Sequence, residues 1–153
     1  MDTQNHPVKT SNTIMRMPEL PRSLAIVGSG FIAVEFAHIF ASLGVDVTVL
    51  ARGNRLLGNH DRDVSDAFTR QFTKNVNVRF GVEVESVDVA DGVSLTLTET
   101  GRAQDADTSA VEAQLMLVAV GRTRSTHALN VGALGAQTDG DRLVVDERQR
   151  VLS

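Results

Sequence analysis

The sequence predicts an α/β chain built as three layers, β-β-α. A parallel sheet carries helices on one face and an inserted antiparallel β-meander on the other. Three observations lead there. The apolar run 24–27 passes through a glycine-rich turn into a helical pattern, and a second strand-helix-strand sequence follows it. From 82 to 98 the period changes to two, broken by Asp91-Gly92. At 115–120 a wholly apolar run returns, as a strand buried on both faces would read.

Taken in order, residues 1–22 read as a connecting arm punctuated by His6-Pro7, Pro18 and Pro21, and the folded domain is expected to start near Ser23. Leu24 to Val27 is the first buried strand, and Gly28-Ser29-Gly30 turns the chain sharply. A helix is expected over 31–43. Ala33, Ala37 and Ala41 form a smooth stripe along it, and Gly44 is its C-terminal stop. Residues 45–50 are rich in β-branched side chains and form the second strand. The segment 52–60 holds Gly53, Asn54, Gly58 and Asn59 and reads as a loop. Asp61 is placed to cap a helix over 62–74 whose inner face is expected to be Val64, Phe68 and Phe72. Residues 76–80 are the next strand. Two alternating strands then flank Asp91-Gly92, with a slip near Ser86 that predicts a bulge. The stretch 101–110 reads as loop, 111–113 as a short third strand, and 115–120 as the last buried parallel strand. A turn at 139–141 and a strand over 143–145 close the pattern.

Composition excludes several classes. The net charge of −4 leaves no electrostatic footprint for nucleic acid. No apolar run approaches the ~20 residues of a membrane span, and the polar first residues lack the apolar core of a signal peptide, so the expected compartment is the cytoplasm. The chain has no cysteine, which rules out a disulfide or thiol redox centre within it. The histidines at 6, 38, 60 and 127 show no ligand spacing, and no metal site is expected.

The chemistry concentrates at the glycine turn. Gly28, Gly30 and Ala33 match G-x-G-x-x-G/A, in which the first glycine makes the tight turn. The second lets a pyrophosphate approach the backbone, and the third small residue lets helix pack on strand. The helix N-terminus then offers free N–H groups to phosphate. A strand before and a helix after the motif support dinucleotide binding; the bland alternative is a tight turn without a ligand. About 20 residues further on, NAD-binding chains place a carboxylate for the ribose hydroxyls. Here that position is Leu50 or Ala51, followed by Arg52 and Arg55. A guanidinium there suits a 2′-phosphate, which favours NADP(H) over NAD(H); two solvated loop arginines are the alternative. Glu35 either gains from the helix dipole or faces the nicotinamide end of the ligand. Phe31 either lies against the nicotinamide or packs in the core. Arg122 and Arg124 are weaker candidates for phosphate or ribose contact, set against plain surface charge.

The run from Ile26 to Ala37 is similar to the second glycine motif, G-x-G-x-x-[GA]-x-E, of the pyridine nucleotide-disulfide oxidoreductases. These FAD enzymes include glutathione reductase, dihydrolipoamide dehydrogenase and mycothione reductase. Residues 117–122 match the family's strand near the end of its nucleotide domain, and 15–21 resemble the linker entering it. Within the family the chain resembles the mycothione reductases, through 28–33, 35–38 and 146–150. The resemblance implies a Rossmann-like FAD/NAD(P)-binding fold. It implies that Gly28, Ser29, Gly30, Phe31, Ile32 and Ala33 line the cofactor, with Phe31 gating the nicotinamide pocket and Glu35 near the nicotinamide. Arg52 would hold the 2′-phosphate. Gly58 stands where NADPH-dependent members have a second arginine, so Arg55 is the substitute. Gly121 would touch the nucleotide through its backbone.

The family's FAD glycine motif, Cys-x4-Cys disulfide and His-Glu pair are not found here. The expectation is therefore an excised central domain: 1–22 a linker arm, 23–153 an NAD(P)-binding domain. Such a chain would bind nucleotide, would not bind FAD, and would turn nothing over alone. Its partners would be the FAD and interface domains of a homodimeric parent; by itself it would be a monomer. The parent would pass hydride from NADPH to FAD and on to a redox disulfide. The alternatives are a stand-alone dinucleotide sensor or interaction module, and the NAD domain of a dihydrolipoamide dehydrogenase.

Overall fold

Leu24, Ala25 and Ile26 are almost wholly buried, yet they face two different cores. Leu24 and Ile26 point to the helix side and Ala25 to the opposite side. That alternation is how one short apolar strand holds together three layers.

The computed structural model describes residues 6–100, 108–122, 124, 126 and 129–153. In chain order its first unit contains β1 (Val8–Thr10), β2 (Ser23–Val27), α1 (Phe31–Ser42), β3 (Asp46–Ala51), α2 (Arg62–Phe72) and β4 (Asn77–Phe80). It continues with β5 (Val82–Val89), β6 (Val93–Glu99), β7 (Ser109–Ala113) and β8 (Leu115–Val118). The parallel sheet has the order β1-β8-β2-β3-β4, and β5-β6-β7 form the antiparallel meander. Val27 is level with Leu50 of β3 and with Val118 of β8, so three strands end at one edge.

The helix-side core joins Leu24, Ile26, Val47, Val49 and Leu117 to Ala33, Ala37 and Phe40 of α1. The opposite core joins Ala25, Leu50 and Met116 to Val93, Leu95, Leu97 and Val111 of the meander. The expected bulge falls between Val84 and Ser86. Gly44 adopts φ +88° and its N–H donates to the Ala41 carbonyl, closing α1 as expected. The Asp61 carboxylate accepts from the N–H groups of Asp63 and Val64 at 2.9 and 3.3 Å, closing the other orphaned helix end.

Several expectations change. Residues 6–22 are more than an arm. β1 pairs in parallel with β8, and Ile14 is 1% exposed in the helix-side core. The short Val-Lys-Thr run was too brief to read as a strand without its partner. The inner face of α2 is Ser65, Phe68, Thr69 and Phe72, whereas Val64 is exposed. A polar residue, Ser65, takes the innermost place because its hydroxyl donates to the Leu57 carbonyl at 2.7 Å. β7 begins at Ser109, and residues 101–107 of the expected loop lie outside the described residues. β8 stops at Val118, and Val120 is exposed, so the apolar run outlasts the strand.

Contacts divide the chain into two compact units, Met1–Val120 and Gly121–Ser153. The second holds a short 3-10 turn (Val131–Leu134) and the hairpin β9 (Thr138–Asp139) and β10 (Arg142–Leu143), with Gly140 at φ +59°. Val145 bridges to Val151. Between them the Asp146 carboxylate accepts from the N–H groups of Arg148 and Arg150 and from the Arg150 guanidinium. Among the described residues no helix is long and apolar enough to cross a membrane, and no cluster of His, Asp or Glu is arranged for a metal ion.

Candidate functional site

At the carboxyl edge of the parallel sheet the backbone pairs one step past the strands. Gly28 N–H donates to the Leu50 carbonyl at 3.0 Å, and Ala119 N–H donates to the Val27 carbonyl at 2.8 Å. The glycine turn therefore leaves the sheet between the ends of β3 and β8. This is the crevice where open α/β sheets seat ligands. Gly28 has φ +133°, and a Cβ there would sit 2.4 Å from the Ala119 carbonyl oxygen. Only glycine fits both the conformation and the space.

Gly30 behaves differently. It is exposed and extended, at φ −82° and ψ −178°, and caps α1 with no side-chain hydrogen bond. A Cβ at Gly30 would meet nothing within 4 Å. The fold does not demand glycine here; the bare backbone lies open to whatever approaches the helix end. Val34 N–H makes the first intrahelical bond, to the Gly30 carbonyl. The N–H groups of Phe31, Ile32 and Ala33 precede it and have no carbonyl one turn back, so they face outward with the positive end of the dipole. Ala33 itself is fully buried against the sheet, as the third small position requires.

Phe31 is half exposed beside this turn, so the core-packing alternative does not describe it. Ile32 is half-buried and Ser29 likewise. Glu35 is exposed and lies beyond the first turn of α1, where the dipole contributes little.

Arg52 follows β3 directly. Its side chain is 78% exposed, with Nε 3.8 Å from Glu83 Oε1. Arg55 is more enclosed, at 27%, and its Nη1 lies 3.5 Å from Asp66 Oδ1 on α2. Leu50 and Ala51, where an NAD-binding carboxylate would be expected, are buried in the two apolar cores.

The loop between β3 and α2 is better anchored than its composition implies. Leu57 N–H donates to the Ser29 carbonyl at 2.8 Å, tying the arginine loop to the glycine turn. Leu56 is fully buried, and its N–H donates to Thr69 Oγ1. Ser65 holds the Leu57 carbonyl from α2. Reading 52–60 as a plain loop missed these anchors; Leu56-Leu57, an apolar pair in a polar stretch, was the available signal.

Gly121, Arg122 and Arg124 belong to the second unit. Arg124 is committed there: its N–H and guanidinium both reach the Asp141 carboxylate at 3.1 Å. The Arg124 N–H and then its side chain hold the Asp141 carboxyl below the usual carboxylate range. A cleft of about 680 Å³ lies instead at the amino ends of β2 and β3. Its lining sets Asp46, Asp88, Asp91 and Glu112 against Arg22, a net negative charge that disfavours phosphates.

The sequence profile of the family described as "Pyridine nucleotide-disulphide oxidoreductase" matches residues 3–152. The chain belongs to this family. Over 142 residues it is 39% identical to a mycothione reductase of Mycobacterium tuberculosis, covering 92% of this chain and 29% of that protein. It is 34% identical to a dihydrolipoyl dehydrogenase of Halobacterium salinarum, covering 97% of this chain and 31% of the relative. Among solved structures, the HOCl-induced flavoprotein disulfide reductase RclA of Escherichia coli superposes with a TM-score of 0.76 at 27% identity. That superposition covers 95% of this chain and 32% of RclA. The chain thus spans under a third of the length of these relatives. RclA, a flavoprotein disulfide reductase, shares with it the mixed, Rossmann-type architecture of a parallel sheet with an antiparallel meander.

Proposed function

We propose that this chain is the NADP(H)-binding part of a cytoplasmic, FAD-dependent disulfide reductase of the mycothione reductase kind. The observation that carries the reading is the turn from Gly28 to Ala33. It sits at the carboxyl edge of the sheet and leaves the Gly30 backbone and the first N–H groups of α1 uncovered. A pyrophosphate fits there because Gly30 has no side chain to displace and the donors are already aligned. Arg52, largely exposed at the end of β3, would pair with the 2′-phosphate. Phe31 and Glu35, both solvent-facing, would border the nicotinamide.

Bound here, NADPH supplies a hydride for a flavin held elsewhere in the parent enzyme. The chain's own contribution is to bind, orient and discriminate. With no cysteine it holds no redox disulfide, so alone it binds nucleotide without turnover. The alternative of a dihydrolipoyl dehydrogenase domain would call for NAD and an acid near Ala51. Leu50, Ala51 and Arg52 weigh against that choice.

Titration calorimetry with NADPH and NADH tests the reading. NADPH should bind more tightly, and Arg52→Ala should weaken NADPH by about 1.5–3 kcal/mol, the scale of a charge-assisted bond. NADH should be nearly unaffected. Equal affinity for both dinucleotides in the unmutated chain would remove the 2′-phosphate argument.

A further inference from the structure

Arg55 already has a partner, and the way that partner is shared suggests how the arginine loop is controlled. Asp66 on α2 faces two guanidiniums with different oxygens: Oδ1 lies 3.5 Å from Arg55 Nη1 and Oδ2 lies 3.7 Å from Arg62 Nε. Both separations exceed those of a tight charge-assisted hydrogen bond, about 2.7–2.9 Å. The carboxylate is 41% exposed, so each pair is weak and easily exchanged. Meanwhile the loop carrying Arg55 runs from the end of β3 to Leu57, whose N–H is bonded to Ser29 in the glycine turn. Arg55 therefore sits on the segment that joins Arg52 to the glycine turn, with its guanidinium toward Asp66 of α2.

We propose that Asp66 is a positioning residue for dinucleotide choice, holding Arg55 away from a 2′-phosphate until the phosphate takes it over. The proposal rests on the NADP(H) reading above. A phosphate monoester carries about −1.5 to −2 charges near neutrality and attracts a guanidinium more strongly than one shared carboxylate does. When Arg55 swings to the phosphate, Arg62 remains with Asp66, one helical turn away on the same face. No charge is left without a partner by the exchange. Arg52, loosely paired with Glu83 and far more exposed, is the first contact, and Arg55 is the second.

The test is calorimetry on the whole chain with NADPH and NADH. Asp66→Asn should tighten NADPH about two- to fivefold, the most an exposed pair withholds, and leave NADH unchanged. Arg62→Ala should weaken NADPH, because Asp66 then holds Arg55 alone. Adding Arg55→Ala to Asp66→Asn should abolish the gain. Asp63→Asn, on the same helix, makes the same charge change without touching Arg55 and should alter neither affinity. Asp66→Asn that shifts both dinucleotides alike, matches Asp63→Asn, or shifts neither overturns the proposal. Preserved NADPH preference with a neutral Asp66→Asn removes the exchange alone. Equal affinities in the unmutated chain together with a neutral Arg52→Ala remove the NADP(H) reading, and the exchange falls with it.

Discussion

Two glycines two residues apart should fail in opposite ways when each is replaced by alanine. At Gly28 the backbone has φ +133°, a region nearly closed to residues with a Cβ, and the added methyl would lie 2.4 Å from the Ala119 carbonyl oxygen and 2.8 Å from its carbon. The obstacle is backbone at the end of β8, which cannot swing aside as a flexible side chain can. Forcing the conformation costs about 1–3 kcal/mol, and overpacking against a fixed neighbour adds about 1–3 kcal/mol. Gly28→Ala should therefore lose about 2–6 kcal/mol. That is a large share of the 5–15 kcal/mol typical of a folded domain. With urea slopes of about 1–3 kcal/mol/M, the midpoint should fall by about 1 M or more. At Gly30 the φ of −82° is ordinary and nothing lies within 4 Å of the new methyl. The poorer cap of alanine and its smaller unfolded-state entropy roughly offset, so stability should stay within about 1 kcal/mol. Yet the methyl would stand in the proposed diphosphate seat, at a cost of about 1–3 kcal/mol, roughly 5- to 150-fold in affinity. Urea unfolding of both variants and calorimetry of Gly30→Ala with NADPH decide the matter. An unchanged midpoint for Gly28→Ala would refute the close approach to β8. Wild-type affinity in a folded Gly30→Ala would refute the pyrophosphate seat.

Asp61→Ala should lower stability by about 0.5–2 kcal/mol, since two N–H groups at the start of α2 lose their acceptor, and Asp61→Ser should restore most of it in the same denaturant assay. In the second unit, the Arg150 N–H first, then its guanidinium and the Arg148 N–H, hold the Asp146 carboxyl below its ordinary 3.8. A depressed folded value means the turn's support is present above about pH 4, near the unfolded carboxyl value, and is lost as pH falls through the lower folded one. Amide shifts of Arg148 and Arg150 followed by NMR from pH 6 to 2 should move with a midpoint below 3.8; a midpoint at or above it would contradict the hydrogen-bonded turn.

Local signals read well where the physics is local. The Asp61 cap, the Gly44 stop, the bulge near Ser86 and the Asp91-Gly92 hairpin each depend on a few neighbouring residues, and each stands where the sequence placed it. Period read less well where a partner from elsewhere supplies the reason. Val8–Thr10 becomes a strand only because β8 offers an edge, a pairing across more than a hundred residues that three residues cannot announce. Ser65 is innermost on α2 only because the Leu57 carbonyl needs a donor, which displaced Val64 to the surface.

The candidate site divides along the same line. By itself the sequence determined the chemistry on offer: a glycine turn into a helix, no carboxylate at Leu50 or Ala51, two arginines just beyond, and no cysteine. Those follow from residue type and spacing alone. Only the tertiary structure decided how the two glycines differ, through the approach of the β8 backbone to one and the open space beside the other. It likewise decided that Arg52 is largely exposed while Arg55 is engaged by α2. A side chain's partners depend on which distant segments fold beside it, and that is a property of packing rather than of spacing along the chain.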